Sequence, residues 1–372
     1  MVDVAIIGGG AIGWSTAWRL LHREPSLRVE VIDPHPERAS SLRGTGGVRC
    51  QFEAEVHVRL SLESIEFFER FEHHTGHDVG FQQNGYLLLS AKEETAERLE
   101  RAVEFQSGIG AQSRLLTVSE IDFATPFVRR GGYRVAAFCP QDGYLMGPEV
   151  LHGFRQAAMR MGATERNERA LRLEGDEVRT SGGSVWTSLV VLSAGHWSAV
   201  VAEGLGLAVP VRPEKHQLVH AGSPCDPSLP MIVDLDTGFH FRPYLGGTLM
   251  GFNDARVAAS TEDPEDQPAF DASAQMRMRA VAREAIPQPH WATAEGWAGW
   301  YSCTPDGIGI VDRVGQVVIA CGFGGHGVMH APAVGRIVAD LVLDGEAAGI
   351  DIAPMRYGRF AEAGPTRESW VL

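Results

Sequence analysis

Cysteine is scarce and badly placed for cross-linking. The 372-residue chain holds five, at positions 50, 139, 225, 303 and 321, with no Cys-x-x-Cys spacing. A disulfide framework and a structural zinc site are both disfavoured, and a reducing compartment is expected. Long apolar runs are missing too: no stretch approaches membrane-spanning length without glycine, proline or charge interrupting it. Excess positive charge is also lacking. The formal charge of −14 argues against non-specific nucleic-acid binding and against adhesion to anionic membranes. It does not bear on a small anionic substrate, for which a few local arginines suffice. No cluster has metal-ligand spacing, and no nucleophile elbow is present. Disorder does not fit a chain that is 44% apolar with 43 Gly and 20 Pro, the profile of a turn-rich globular α/β protein. The length suggests two domains. Strand-like sequence begins at Val2, so no leader peptide is expected ahead of it and the cytoplasm is the expected location.

What the chain does have is glycine in a telling place. The apolar run Val2-Asp3-Val4-Ala5-Ile6-Ile7 breaks into Gly8-Gly9-Gly10-Ala11-Ile12-Gly13. A second run, Val29-Glu30-Val31-Ile32, ends on Asp33. Strand, tight turn, helix, strand and acidic residue in that order form a dinucleotide-binding unit. Gly8 permits the turn, Gly10 lets backbone approach a pyrophosphate, and Gly13 lets the helix pack on the sheet. The helix start supplies unpaired N–H groups for phosphates, and Asp33 is placed to accept from the adenosine ribose hydroxyls. The same residues could serve as a plain glycine-rich turn, and the motif alone does not separate FAD from NAD.

Periodicity predicts helices over 11–23, 53–71, 93–106 and 148–161. Trp14 and Trp18 lie one turn apart, where they would pack the first helix on the sheet. Strands are predicted at 85–89, 169–173 and 185–186, and at 188–195, which ends in Ser193-Ala194-Gly195. An apolar strand reaching small residues suits a parallel sheet whose carboxyl edge is crossed by a cofactor. Between 211 and 300 the strands 217–220, 239–242 and 248–252 suggest a mainly antiparallel unit, with 260–271 as a surface excursion. Strand 317–321 then enters Gly322-Phe323-Gly324-Gly325-His326-Gly327, followed by a helix to about residue 343. The dinucleotide domain is therefore expected to be discontinuous (1–85, 140–210 and 305–372), with a substrate domain from 86–139 and 211–304.

These motifs occur together with Ser40-Ser41-Leu42-Arg43-Gly44-Thr45-Gly46-Gly47-Val48-Arg49, Gly85-Tyr86-Leu87, Pro213-Glu214-Lys215-His216-Gln217, Phe241-Arg242-Pro243 and Thr304-Pro305-Asp306-Gly307. As a set they resemble the D-amino-acid oxidase-like FAD superfamily, and within it the sarcosine oxidase and dimethylglycine dehydrogenase branch. The resemblance implies an α/β protein with a Rossmann-type, glutathione-reductase-like FAD-binding domain and a second, mainly antiparallel β-sheet substrate domain. It also implies FAD in extended form and oxidation of the C–N bond of a small amino acid. A hydride would pass to flavin N5 and the imine would hydrolyse afterwards.

Residue by residue, the resemblance places Gly8, Gly10, Ala11, Ile12, Gly13, Asp33, Ser40, Ser41, Arg43, Gly46, Gly47, Ala194, Gly195, Trp197, Gly322, Gly324, Gly325, His326, Gly327 and Val328 at the cofactor. The N–H groups of the late loop would face negative charge developing at flavin N1 and the C2 carbonyl. His326 would either hydrogen-bond near the ring or hold the loop, and His330 reads as structural. Arg49 matches the arginine that pairs with the substrate carboxylate in monomeric sarcosine oxidases, a role that suits a guanidinium fork. His240 and Arg242 share one strand face; they either roof the flavin, as a polar wall and a second carboxylate contact, or meet solvent. Tyr301, with Trp297 and Trp300, would either form an aromatic wall that favours the neutral amine or pack in the core of the smaller domain.

The chain also departs from the pattern. The lysine that promotes reaction with oxygen reads Leu249, a second lysine reads Met329, and the substrate-site histidine reads Asn253. The flavin-linking cysteine reads Gly299, with Cys303 out of register, so FAD is expected to be non-covalent. Tyr301 stands where glycine oxidase and D-amino-acid oxidase-like enzymes carry a carboxylate-binding arginine. The expected substrate is N-methylated or cyclic secondary (sarcosine-, dimethylglycine- or proline-like), with oxygen or another electron acceptor. A primary D-amino acid or glycine is one alternative; a weakly active flavoprotein subunit with a partner protein is another. A nicotinamide enzyme is the third, and the 322–327 loop argues against it.

Overall fold

The computed structural model describes residues 1–117, 119–121, 132–222, 225–258, 265–285, 294–361 and Glu368. Strands β1 (Val4–Ile7) and β2 (Val29–Ile32) flank helix α1 (Ala11–Arg23). Every residue of both strands is buried, as strands covered on two faces require. β1 pairs in parallel with β2 and with β12 (Leu189–Leu192). With β8 (Thr164–Arg166), β19 (Val317–Cys321) and the antiparallel edge strand β18 (Ile310–Val314) they form a six-stranded sheet, ordered β18-β19-β12-β1-β2-β8.

One face of this sheet carries helices. α1 packs on α4 (Gly327–Leu343), where Ser15 Oγ donates to Ala331 O over 2.7 Å and a Cβ on Gly335 would lie 2.2 Å from Ser15 Oγ. Trp14 and Trp18 are buried, and Trp18 lies beside Phe67 of α2 (Glu55–Phe68) and Phe154 of α3 (Gly147–Arg160). The predicted helix over 53–71 is shorter: α2 stops at Phe68 and a separate turn, Phe71–Thr75, ends at Gly76. The other face is covered by a three-stranded antiparallel sheet of β9 (Ala170–Glu174), β10 (Glu177–Thr180) and β11 (Gly183–Trp186). Its middle strand is absent from the sequence reading, because Val178 is its one apolar residue and polar side chains surround it. Three layers around a parallel sheet make this a Rossmann-type α/β unit.

The second sheet has nine strands, ordered β20-β17-β13-β16-β15-β14-β4-β6-β5. They are β4 (Tyr86–Ser90), β5 (Arg114–Leu116), β6 (Val135–Cys139), β13 (Arg212–Ala221), β14 (Met231–Asp234), β15 (His240–Tyr244), β16 (Gly247–Gly251), β17 (Glu295–Cys303) and β20 (Phe323–Gly324). All pairings are antiparallel except β14 with β4. β13 extends back through Pro213, which is tolerated because β16 joins it only at Leu218 and β17 is the single neighbour there.

Two short connections tie the sheets together. Gly322, at φ +77°, is the one residue between β19 and β20. The strand β3 (Gly47–Val48) pairs with β7 (Gly143–Tyr144), which follows β6 directly. Of the expected excursion at 260–271, residues 260–264 lie outside the described residues. Among the described residues no helix is long and apolar enough to cross a membrane.

Candidate active site

A cavity of about 320 Å³ runs along the carboxyl ends of β1, β2, β12 and β19. Gly8, Gly10, Ala11, Ile12, Asp33, Ser40, Ser41, Ala194, Gly195, Trp197, Gly324, Gly325, Gly327 and Val328 line it. Gly8, at φ +108°, runs so near β12 that a Cβ would sit 2.4 Å from Ser193 O. Gly13 is not on the wall; a Cβ there would meet Gly8 O at 2.0 Å, so this glycine serves the helix–strand contact. Gly10 differs. A Cβ there would find only Ser41 Oγ, at 3.7 Å, because the space before it is the cavity. Gly46, Gly47 and Gly322 pack against Leu145, Tyr86 and Thr304 and do not line the cavity.

The cavity's chemistry fits a dinucleotide. Asp33 Oδ2 accepts the Gly9 N–H at 2.7 Å and Oδ1 accepts the His35 N–H at 2.8 Å. Burial pushes its carboxyl up, and these two bonds pull the other way. Its remaining lone pairs are available for ribose hydroxyls. The first turns of α1 and α4 carry no acidic side chain, so two positive helix ends meet the cavity. At the mouth, Arg169 grips Glu265 through two bonds of 3.1 and 2.5 Å. Arg38 donates to Glu265 O at 2.8 Å and Trp300 Nε1 to Asp266 O at 3.1 Å, so residues 265–266 form a short strap tied to the cavity wall.

A second chamber, about 20 Å³, lies under the nine-stranded sheet and shares Ser40, Gly44 and Tyr301 with the first. Its other walls are Arg43, His216, Gln217, Leu218, His240, Phe252, Trp297, Gly299 and Trp300. Cross-strand register explains the space: His216 pairs with Gly299, which offers no side chain, and Tyr301 two residues on stacks over the imidazole at 3.9 Å. Trp297 Nε1 donates to Arg43 O at 2.9 Å and fixes the loop below. The sequence reading did not single out His216. Period-2 alternation with Leu218 was the available signal.

Burial pushes both His216 and His240 down to about 4, so both are neutral at pH 7. His240 Nδ1 lies 3.1 Å from Gly238 O. A carbonyl only accepts, so Nδ1 carries the proton and Nε2, which has no partner among the described residues, is a bare acceptor. Burial pushes the Tyr301 hydroxyl up.

The other expected substrate-side residues do not line either cavity. Arg49 is buried within electrostatic reach of Tyr86 and Tyr301. Its Nη1 donates to Gln51 O, its Nη2 lies 3.5 Å from His326 Nε2, and its guanidinium carbon sits 3.8 Å over the Phe52 ring. Burial pushes its pKa down, while Tyr86, Glu368 and Asp142 oppose that shift. The His326 side chain turns from the cavity toward Arg49, Phe52, His57 and His330. Arg242 meets neither solvent nor cavity: it donates to Thr45 O (2.6 Å), Pro243 O (2.9 Å) and Leu145 O (3.3 Å) between the Tyr144 and Tyr244 rings. It pins the 40–49 loop to the second sheet. Asn253 packs beside Gly238. Leu249 pairs with Arg242 in the sheet, and Met329 is buried in the first turn of α4. Among the described residues no group of three or more His, Cys, Asp or Glu could hold a metal ion.

A glycine-floored cavity at the carboxyl edge of a parallel sheet, with a small chamber under an antiparallel sheet beside it, defines a dinucleotide-dependent oxidoreductase of the flavin type. Residues 3–341 match the DAO family, FAD dependent oxidoreductase, and the chain belongs to that family. FAD is its cofactor, and it is an FAD-dependent oxidoreductase. It is 30% identical to FAD-dependent oxidoreductase domain-containing protein 1 of Xenopus laevis, over the whole of this chain and 85% of that protein. It is 28% identical to glycine oxidase of Geobacillus kaustophilus, covering 96% of this chain and 97% of the relative. The solved structure of L-proline dehydrogenase from P. horikoshii superposes with a TM-score of 0.86 at 25% identity, covering 97% of this chain and 98% of that one.

Proposed function

We propose that this enzyme oxidises the C–N bond of a small secondary amino acid, N-methylated or cyclic, with Arg49 as the carboxylate contact and the His216–His240–Tyr301 chamber receiving the amine side. The observation that carries this reading is the chamber: aromatic, with no acidic side chain among its described lining residues, and sharing Ser40, Gly44 and Tyr301 with the cofactor cavity. When bound, FAD supplies the acceptor for the hydride leaving the carbon next to nitrogen. The chain's own residues orient and desolvate. The amine must keep its lone pair free, and a dry aromatic chamber with no acidic side chain among its described lining residues disfavours an ammonium there. Neutral His240 adds an acceptor for an amine N–H. The similarity to glycine oxidase supports glycine as a second reading. The free state of all five cysteines suits a reducing compartment such as the cytoplasm.

The test is anaerobic mixing of the yellow holoprotein with sarcosine, dimethylglycine, L- and D-proline, glycine and D-alanine, followed by admission of air. Bleaching by an N-alkyl or cyclic member is the expected result, and the speed of recovery separates oxygen from another electron acceptor. Bleaching by glycine or D-alanine alone would replace this reading with the primary-amine one. No bleaching of dithionite-reducible FAD, together with a co-purifying partner, would make the chain a flavoprotein subunit.

A further inference from the structure

Asp142 is a buried carboxylate that the chemistry above leaves unused. It is fully buried in the turn between β6 and β7, where the nine-stranded sheet passes the chain to the β3–β7 pair. Its Oδ1 accepts the Cys50 N–H at 2.7 Å and its Oδ2 accepts Gln51 Nε2–H at 3.2 Å. The same Gln51 nitrogen donates to Tyr86 O at 3.0 Å. The turn is fixed independently by backbone, with Gly85 N–H bonding Asp142 O at 2.9 Å. Arg49 Nη1 donates to Gln51 O. One carboxylate therefore holds both residues that follow Arg49, and the carbonyl steering the guanidinium belongs to the second of them.

We propose that Asp142 is a positioning residue: by clamping Cys50 and Gln51 it makes Gln51 O aim the Arg49 guanidinium at the substrate carboxylate. This role exists only if Arg49 is that contact, as proposed above. Two acceptor oxygens are required because both partners donate, and a carboxyl provides them even though burial and the neighbouring Cys139 push its pKa up. An amide in its place would set an NH2 group against either the Gln51 amide or the Cys50 N–H. The expected cost is loss of aim rather than of charge, and displacing a binding group by about 1 Å can cost up to about 100-fold.

The measurement is an acetate titration of the holoprotein, read as the flavin absorbance change, in the parent, Arg49→Gln, Asp142→Asn and Gln51→Met. FAD content and melting temperature are recorded for each. Arg49→Gln should abolish acetate binding, and Asp142→Asn should weaken it about tenfold, within the range that misplacement allows. Gln51→Met should do the same to a smaller extent, which keeps the role testable if Asp142→Asn fails to fold. Among substrates, KM for L-proline should rise in Asp142→Asn while turnover of pyrrolidine, which lacks the carboxylate, stays unchanged. Acetate binding unaffected by Arg49→Gln, or absent from the parent, removes the contact itself and the positioning role with it. Loss in Arg49→Gln with none in Asp142→Asn and Gln51→Met overturns the positioning role alone. So does an equal loss for proline and pyrrolidine, which would mark Asp142 as a turn staple only.

Discussion

The larger cavity has a floor of backbone, at Gly8, Gly10, Gly195, Gly324 and Gly325, whereas the smaller chamber is walled by side chains from β13, β15 and β17. A peptide floor recognises what is common to every dinucleotide, phosphate charge and an extended shape. A side-chain wall recognises one molecule, because each imidazole or indole can be exchanged without disturbing the strand beneath. The cofactor site is thus tied to the fold, and the chamber is where specificity can drift.

If that contrast is right, adding carbon to the two regions should have separable effects. Gly10→Val gives the largest. Its first added atom enters open cavity, so the protein should fold with normal circular dichroism yet lose FAD affinity by more than about 100-fold, read by flavin content and fluorescence titration. Gly299→Val comes next. It should retain FAD but fill the chamber and press on Arg43, whose Cβ would lie 3.2 Å from the new one, raising KM about tenfold for the best substrate of the panel. Loss of FAD in Gly299→Val would show that the two regions are not separable.

Acid should also discriminate, because the chamber titrates where a peptide floor cannot. His240 is held at about 4 when folded and returns to about 6.5 when unfolded. Between these values the unfolded chain binds more protons, so stability falls as pH drops from about 6.5 to 4 and levels off below that. The effect is about 3 kcal/mol at most for this residue. Urea unfolding across that window should show a shallower acid limb for His240→Leu than for the parent. The smallest effect belongs to the strap: Glu265→Gln breaks a half-exposed pair worth about 1 kcal/mol or less. FAD release, followed by fluorescence, should quicken a few-fold at low salt and match the parent in concentrated salt.

Legibility in the sequence follows the same division. The bounds of α1 and β19, and the end of α4, agree with the sequence reading because glycine spacing and local periodicity define them. β10 and the β3–β7 pair carry no such signal, since they exist only through partners elsewhere in the chain. At the site, the Gly8–Gly13 turn and Asp33 are local and readable. His216 meets Tyr301, 85 positions further along the chain, through register, and Asp142 meets Cys50 through a turn nearly a hundred residues away. Arg242 shows the opposite failure. Its place on the His240 strand face was readable, but its three carbonyl partners depend on how the 40–49 loop folds back, which no spacing reveals.

Gly322 carries a mechanical consequence. β19 ends in one sheet at Cys321 and β20 begins in the other at Phe323, and a Cβ on the glycine between them would strike Thr304 at 2.5 Å. A joint one residue long and packed on its flank is a weld, not a hinge. At that joint the spacing of the two sheets is set by the chain itself, so the gauge of the slot beside it is built into the fold.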